Sequence, residues 1–357
     1  MSAERQARLR EGLASENLDA LLVTGLDNIR YLTGYVGSNA LALVGQDTSY
    51  VMTDSRYAVS ATEQVSSAEV VIGGRDLLVD VARVLEGVGG AARIGVEADH
   101  LSVSRHDRIT TALDEHELVS TQNLVEDLRV VKDAAELDVL RYAAKIVDDA
   151  LAVVAAEGFV GRTERAVAWD LETAIRDAGG EGSSFAPIVA AAQRGARPHA
   201  VPSDEPIPED TLLVVDMGAI WQGYCSDMTR TFILGTPAPE LREAYRLCHR
   251  AQRAAVEAAR PGIAAADLDS VAREIISEGG MGEAFGHGLG HGVGLAVHER
   301  PGVRSEGRET ITAGMAITIE PGIYLEGRGG VRIEDLVLVT DDGPEVISKS
   351  PIEEPLA

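Results

Sequence analysis

Four acidic side chains, two on each of two β-rich stretches, are the groups in this sequence best placed to do chemistry together. The first stretch, TLLVVDMGAIWQGYCSDMTRTFIL, reads as a hairpin turning around Trp221, Gln222 and Gly223. That turn puts Asp216 and Asp227 opposite or nearly opposite each other. Directly paired, their Cβ atoms would lie about 5 Å apart. Two carboxylates so placed repel and raise each other's pKa unless a cation sits between them. The plainer reading leaves one at a strand end and the other in solvent.

The second stretch, AITIEPGIYLEGRGGVRIEDLVLV, turns near Gly327 and brings Glu320 across from Glu334. Arg332 lies two residues before Glu334 and so shares its face of the strand. A cross-strand Glu–Arg bridge on a wet face is the ordinary alternative. The apolar flanks Ala316, Ile317, Ile319, Leu336, Val337 and Leu338 argue instead for a hairpin inside the domain. Asp216 and Glu320 stand 104 residues apart, at comparable places in two similar segments.

Between the hairpins runs FGHGLGHGVGLAVHE. His287 and His291 have the i, i+4 spacing of a zinc-binding helix, but five glycines in nine residues would make that helix poor. In extended chain both histidines share one face, and bare backbone on the other permits close packing against a strand. His298 follows seven residues after His291. A lone histidine is more often structural, but this cluster supplies a ligand to go with the carboxylates. Four carboxylates and the imidazole of His291 form a hard, oxygen-rich set suited to Mn²⁺, Fe²⁺ or Co²⁺ and, less distinctively, Zn²⁺. The set exceeds what one ion needs, so two divalent ions are expected. Two ions about 3.5–4 Å apart can share a water, lower its pKa and polarise a substrate carbonyl. Metal-assisted hydrolysis is the chemistry implied. Cys225 reads as a small buried side chain rather than a nucleophile.

These stretches need a scaffold, and the rest of the sequence describes one. With 357 residues, 45% hydrophobic and 25% charged, the chain has the balance of a globular protein of two domains. Residues 1–128 read as a smaller α/β domain, with an amphipathic opening helix and apolar runs at Ala20 to Val23, Ala40 to Val44 and Val70 to Ile72. It carries His100, His106 and His116, but no spaced cluster of metal-binding residue types. Residues 129–357 read as an α+β domain. A helix from Glu136 to about Glu157 is followed by one capped by Thr163 and stopped at Gly179-Gly180. The same grammar recurs about 100 residues later, with helices starting near Glu240 and Asp267. Each helix pair leads into Gly-rich extended chain and a hairpin, which predicts two related halves with a cleft between them.

A formal charge of −25 disfavours nucleic acid and anionic membrane as partners, and no apolar run approaches the roughly 20 residues of a membrane span. The opening MSAERQARLREGL lacks the apolar stretch of a secretory signal, so the cytoplasm is the expected compartment. Two cysteines, Cys225 and Cys248, argue against a disulfide framework and against a thiolate zinc cluster. Only Lys132, Lys145 and Lys349 are lysines, a bias read as genome composition.

The motifs resemble the creatinase/aminopeptidase, or pita-bread, fold and within it the Xaa-Pro aminopeptidase and prolidase group. The resemblance rests on D-M-G with G-Y-C-S-D-M-T-R-T, on H-G-L-G-H-G-V-G-L-A-V-H-E, on I-E-P-G-I-Y and on G-V-R-I-E-D. GLDNIRYLTGYVGSNALALV and TDSRYAVSA add a creatinase-like N-terminal domain. It implies a dinuclear-metal peptidase acting on peptides with proline in second position, with manganese as the metal and cobalt, zinc or iron as alternatives. It further implies that Asp216 serves one ion, that Asp227 and Glu334 bridge both, and that His291 and Glu320 complete the set. Glu320 would also handle the proton, and His199 and His298 would surround the substrate and stabilise the tetrahedral intermediate. His287 resembles a substrate-pocket histidine, and Tyr324 and Arg332 resemble supports of the ligands. A homodimer is the family expectation. One departure is local: AAQRGARPH precedes His199 where these enzymes often carry an Asn-containing loop. Relatives on this fold include metal hydrolases or lyases of non-peptide small molecules and non-catalytic binding proteins, so these stand as alternatives.

Overall fold

The alternation of apolar runs and helical patterns at the start of the chain predicts a mixed sheet, and the computed structural model contains one. It describes residues 2–88 and 92–353 and divides into units Met1–Arg129 and Val130–Ala357. The first unit runs α1 (Ser2–Ser15), β1 (Ala20–Val23), α2 (Leu26–Thr33), β2 (Leu41–Gly45), β3 (Ser49–Asp54), α3 (Ala58–Gln64) and β4 (Glu69–Gly73). It continues with α4 (Leu77–Val88), β5 (Arg93–Glu97), α5 (Val103–Ala112) and β6 (Glu117–Thr121), and α6 (Glu126–Val130) follows. The sheet order is β4-β3-β2-β1-β5-β6. The central β1 pairs antiparallel to β2 and parallel to β5, and its four residues are all buried, as expected of a strand covered on both faces.

The fold gives one histidine of this unit carboxylate neighbours that sequence spacing does not reveal. Folding brings His100 together with Glu97 and Glu126, whose ligand-type atoms lie within 4.8 Å of one another. A polar network occupies the group. Asn28 Nδ2 donates to Glu97 Oε1 (2.7 Å) and to Glu126 Oε1 (2.6 Å), and the Thr24 and Gly25 amides donate to Glu97 Oε2. Glu97 thereby satisfies amides at the start of α2, a place that favours a carboxylate.

In the second unit α7 (Ala134–Ala156) begins with a reciprocal capping box between Asp133 and Glu136. Thr163 caps α8 (Glu164–Asp177), its Oγ1 accepting from the Ala166 amide at 3.1 Å. There follow β7 (Gly182–Ser183), β8 (Ile188–Ala191), β9 (Thr211–Met217), β10 (Ala219–Trp221), β11 (Tyr224–Cys225) and β12 (Met228–Leu234). A second helix pair, α9 (Pro239–Ala258) and α10 (Ala265–Glu278), leads to β13 (Gly290–Gly292), β14 (Glu299–Val303), β15 (Ala316–Ile319) and β16 (Gly322–Leu325). The last strands are β17 (Gly329–Arg332), β18 (Asp335–Thr340) and β19 (Gly343–Val346). Helix pair and sheet thus occur twice, with sheet orders β12-β9-β8 and β14-β13-β15-β18-β19. Separate cores back the two halves. Leu151, Val167, Leu171 and Val215 belong to one, and Tyr245, Leu268, Ile317 and Val337 to the other. Among the described residues no helix is long and apolar enough to cross a membrane.

Candidate metal centre

Both hairpins are interrupted ladders, and the interruptions carry acidic residues. In the first, Met217 pairs with Met228 and Ile220 with Cys225, so Asp227 falls in the break. Asp216 faces Thr229 rather than Asp227, a shift of two residues from direct pairing. In the second, Ile319 pairs with Asp335 and Gly322 with Arg332, so Glu320 and Glu334 meet across the break as expected. The turn at Gln222-Gly223 has positive φ at both residues (45° and 73°), the type that matches strand twist.

His291 comes from β13. Strand structure covers only residues 290–292, so His287 lies in the preceding loop rather than on one long alternating strand. The glycines do permit close approach. A Cβ on Gly290 would stand 2.0 Å from the Thr318 carbonyl oxygen, and one on Gly292 would stand 2.1 Å from that of Arg300. Gly290→Ala is therefore expected to push β13 off β15, cost about 1–3 kcal/mol and weaken divalent-ion binding. Thermal unfolding with and without Mn²⁺ checks this, and an unchanged metal-induced shift would contradict it.

The carboxylates and His291 share a cavity of about 790 Å³. His291 Nε2 is 3.2 Å from Glu320 Oε1 and 3.7 Å from Asp227 Oδ2, and Asp227, His291 and Glu334 offer ligand atoms within 4.8 Å of one another. The Nδ1 of His291 is 3.0 Å from the Gly292 carbonyl, which can only accept. Nδ1 therefore carries a proton, and Nε2 faces the carboxylates, where it donates to Glu320 when the ring is charged. Asp216 is held elsewhere, its Oδ2 accepting from Arg332 Nη2 at 2.6 Å. His287, Tyr324 and Arg332 form a chain. Arg332 Nη1 donates to the Tyr324 hydroxyl (2.9 Å), which faces His287 Nε2 (2.9 Å), while His287 Nδ1 donates to the Gly288 carbonyl (2.7 Å). His199 and His298 are exposed on the cavity wall, and the His298 ring lies 4.4 Å from that of His291.

A divalent ion fits this donor set on two counts. Asp216 Oδ1 and Glu334 Oε1 are buried without a hydrogen-bond partner, which is rare for a carboxylate unless an ion satisfies it. Burial and the neighbouring negative charges also push Asp227 and Glu334 well above the ordinary carboxylate range, and burial raises Asp216. Glu320 differs. Burial opposes its ionisation, but the hydrogen bond and charge of His291 prevail and hold it below that range, while His291 is raised by the same contact.

These shifts fix the sign of a pH effect. In metal-free protein the raised carboxyls keep protons that the unfolded chain has already released, so the folded state binds more protons. Stability of the metal-free protein should fall as pH rises above the unfolded carboxylate range near about 4, and added Mn²⁺ should remove that fall. Denaturant unfolding from pH 4 to 8 tests it; a metal-free stability that climbs across this window would contradict the reading.

Thr229 escaped sequence reading. Fully buried, it donates from Oγ1 to Glu334 Oε2 (2.8 Å) and accepts from Arg332 Nε (3.1 Å). The available signal was its position two residues beyond Asp227, on the same strand face. The apolar wall of the cavity, with Phe185, Pro187, Ile188 and Val201, was not anticipated either.

Residues 138–341 match metallopeptidase family M24, and residues 5–131 match the creatinase/prolidase N-terminal domain. The chain belongs to metallopeptidase family M24, the metal-dependent hydrolases of the α+β pita-bread fold, here with a creatinase-type domain in front. It is similar to the uncharacterized peptidase YqhT of Bacillus subtilis (strain 168), with 38% identity over 97% of this chain and 98% of that one. Among solved structures it is similar to the Xaa-Pro dipeptidase from Bacillus anthracis, with 37% identity, 99% of each chain covered and a TM-score of 0.96. The X-Pro aminopeptidase from Thermotoga maritima MSB8 gives 34% identity, 94% of this chain and 97% of that one, and a TM-score of 0.88.

Proposed function

We propose that this protein is a dinuclear-metal peptidase that hydrolyses the bond between an N-terminal residue and a following proline. The observation that carries this reading is the set of buried carboxylates, two with orphaned oxygens, at one cavity whose wall includes Phe185, Pro187, Ile188 and Val201. A proline ring is apolar and its nitrogen brings no N–H to satisfy, so such a wall suits it. The dipeptidase and aminopeptidase relatives support the same substrate class.

In this reading residues 129–357 carry catalysis and residues 1–128 form the accessory domain. The enzyme is cytoplasmic and homodimeric, with manganese in the site and cobalt, zinc or iron as substitutes. Asp216, Asp227, His291, Glu320 and Glu334 would hold two ions, which would supply an activated water and polarise the scissile carbonyl. Glu320 accepts a proton and delivers it to the departing proline nitrogen. His199 and His298 face the carbonyl oxygen as it gains charge. The Arg332–Tyr324–His287 chain keeps the neighbouring wall fixed.

The Mn²⁺-loaded protein should release alanine from Ala-Pro and Ala-Pro-Ala and leave Ala-Ala-Ala intact. Arg304 lines the same cavity, exposed and without an ion-pair partner among the described residues, and is placed to meet a substrate carboxylate. Arg304→Ala should raise KM for Ala-Pro about threefold to tenfold. Equal cleavage of Ala-Ala-Ala would remove the proline requirement, and no peptide turnover with metal bound would point to small-molecule amides.

A further inference from the structure

The two wall histidines have no side-chain hydrogen bond of their own among the described residues, so apart from the edge contact of His298 with His291 their aim is set by the main chain beneath them. Each sits on irregular chain, His199 between β8 and β9 and His298 immediately before β14. Each stretch is fastened by a carboxylate that lies outside the cavity lining, and the Pro198 carbonyl beside His199 also accepts from Arg332 Nη1 (3.2 Å).

For His199 the fastening is Glu164, the first residue of α8 and 2% exposed. Its Oε1 accepts from the Ala191 amide (2.9 Å) and its Oε2 from the Ser203 amide (2.9 Å). The chain is thereby pinned to one side chain on either side of His199. Arg194 completes the clamp from within the loop, donating from Nε to Glu164 Oε2 (2.8 Å) and from Nη2 to the Val201 carbonyl.

For His298 the fastening is Glu299. Its Oε1 accepts from the Ala296 amide (3.0 Å), and its Oε2 is 3.3 Å from Lys132 Nζ. The side chains of Lys132 and Glu299 are only 1% and 8% exposed. The Cys225 amide donates to the Gly294 carbonyl (2.7 Å), which ties the same loop to the hairpin carrying Asp227.

A buried carboxylate paired with a cation is often no more stabilising than apolar side chains of the same volume, so stability alone does not account for burying Glu164 and Glu299. What apolar side chains could not reproduce is the hydrogen bonding of each carboxylate to loop main chain. We propose that Glu164 and Glu299 are positioning residues, one for each wall histidine, each holding its loop so that the imidazole meets the substrate. This rests on the roles proposed above for His199 and His298.

Double-mutant cycles on Ala-Pro hydrolysis by the Mn²⁺-loaded protein test it. Glu164→Ala and Glu299→Ala should each lower kcat about tenfold to a hundredfold, with KM and bound metal little changed. Adding Glu299→Ala to His298→Ala should cost nothing further, whereas adding it to His199→Ala should multiply the two losses; Glu164 should show the mirror pattern. Wild-type kcat in the folded Glu→Ala variants overturns the inference, as does a loss that multiplies with both histidines alike, the mark of a merely structural role. Wild-type kcat in His199→Ala and His298→Ala would instead overturn the histidine roles, and the inference with them. Should an alanine variant fail to fold, Glu164→Gln and Glu299→Gln, which keep a carbonyl acceptor, carry the same cycle.

Discussion

Asp227→Asn should lower kcat/KM for Ala-Pro by about a thousandfold or more while leaving the metal-free protein as stable as the parent or more so. The two halves of this result come from one environment. Asp227 is buried with Glu334, Asp216 and Glu320 around it, and burial and their charges push its pKa well above the usual carboxylate range. An amide of the same shape stands in for the protonated carboxyl that the metal-free site favours and cannot become the repulsive anion at higher pH, so the metal-free fold loses nothing electrostatic. The same exchange removes a charged ligand from the group it forms with His291 and Glu334. Metal ions contribute several kcal/mol of transition-state stabilisation, and each 1.36 kcal/mol is tenfold in rate, hence the size of the loss. Loss of activity with gain in metal-free stability is the signature of a site that strains its fold for function. A parallel fall in both would mean that Asp227 serves packing instead.

Arg332→Met should destabilise the metal-free protein by about 3–5 kcal/mol at pH 8 and by clearly less at pH 5. The guanidinium is buried and donates to Asp216 Oδ2, the Tyr324 hydroxyl, Thr229 Oγ1 and the Pro198 carbonyl. Methionine fills much of the volume but leaves Asp216 buried and without its cation. The sign with pH follows from which form of Asp216 the pair favours. Arg332 favours the ionised form, so its contribution is present where Asp216 is charged and is lost as falling pH protonates it. Activity should fall as well, by about tenfold to a hundredfold, because the Tyr324–His287 chain loses its anchor. Urea unfolding at the two pH values measures the difference. A penalty of the same size at pH 5 and pH 8 would assign Arg332 a packing role.

How much of this was legible in the sequence depends on how local the signal is. Strand periodicity and a turn at Gly327 suffice to set Glu320 across from Glu334, because the register runs unbroken on both sides of the interruption. Helix ends were legible for the same reason. Thr163 and the glycines after α8 act on their own neighbours, and α9 and α10 begin within two residues of the positions read from pattern. Asp216 was set two residues out of place because the turn residues Gln222 and Gly223 fix a register that the position of the acids alone does not reveal. The extent of β13 depends on what its glycines pack against, the carbonyls of Thr318 and Arg300, which lie 28 and 8 residues away from Gly290 and Gly292 in the chain. Pairings across long sequence separations were silent. Thr229 meets Glu334 across 105 residues, Asn28 meets Glu126 across 98, and Lys132 meets Glu299 across 167. Nothing in residue type or spacing announces such contacts; the topology creates them.

Titration of the metal-stripped protein with Mn²⁺, following bound metal and proline release from Ala-Pro in the same samples, joins the carboxylate centre to proline-directed hydrolysis in one experiment. Release should be absent without metal, rise to a plateau as two ions bind per chain, and vanish on chelation. Two ions bound with no proline released, or proline released by the metal-free protein, would contradict the assignment of this centre to that reaction.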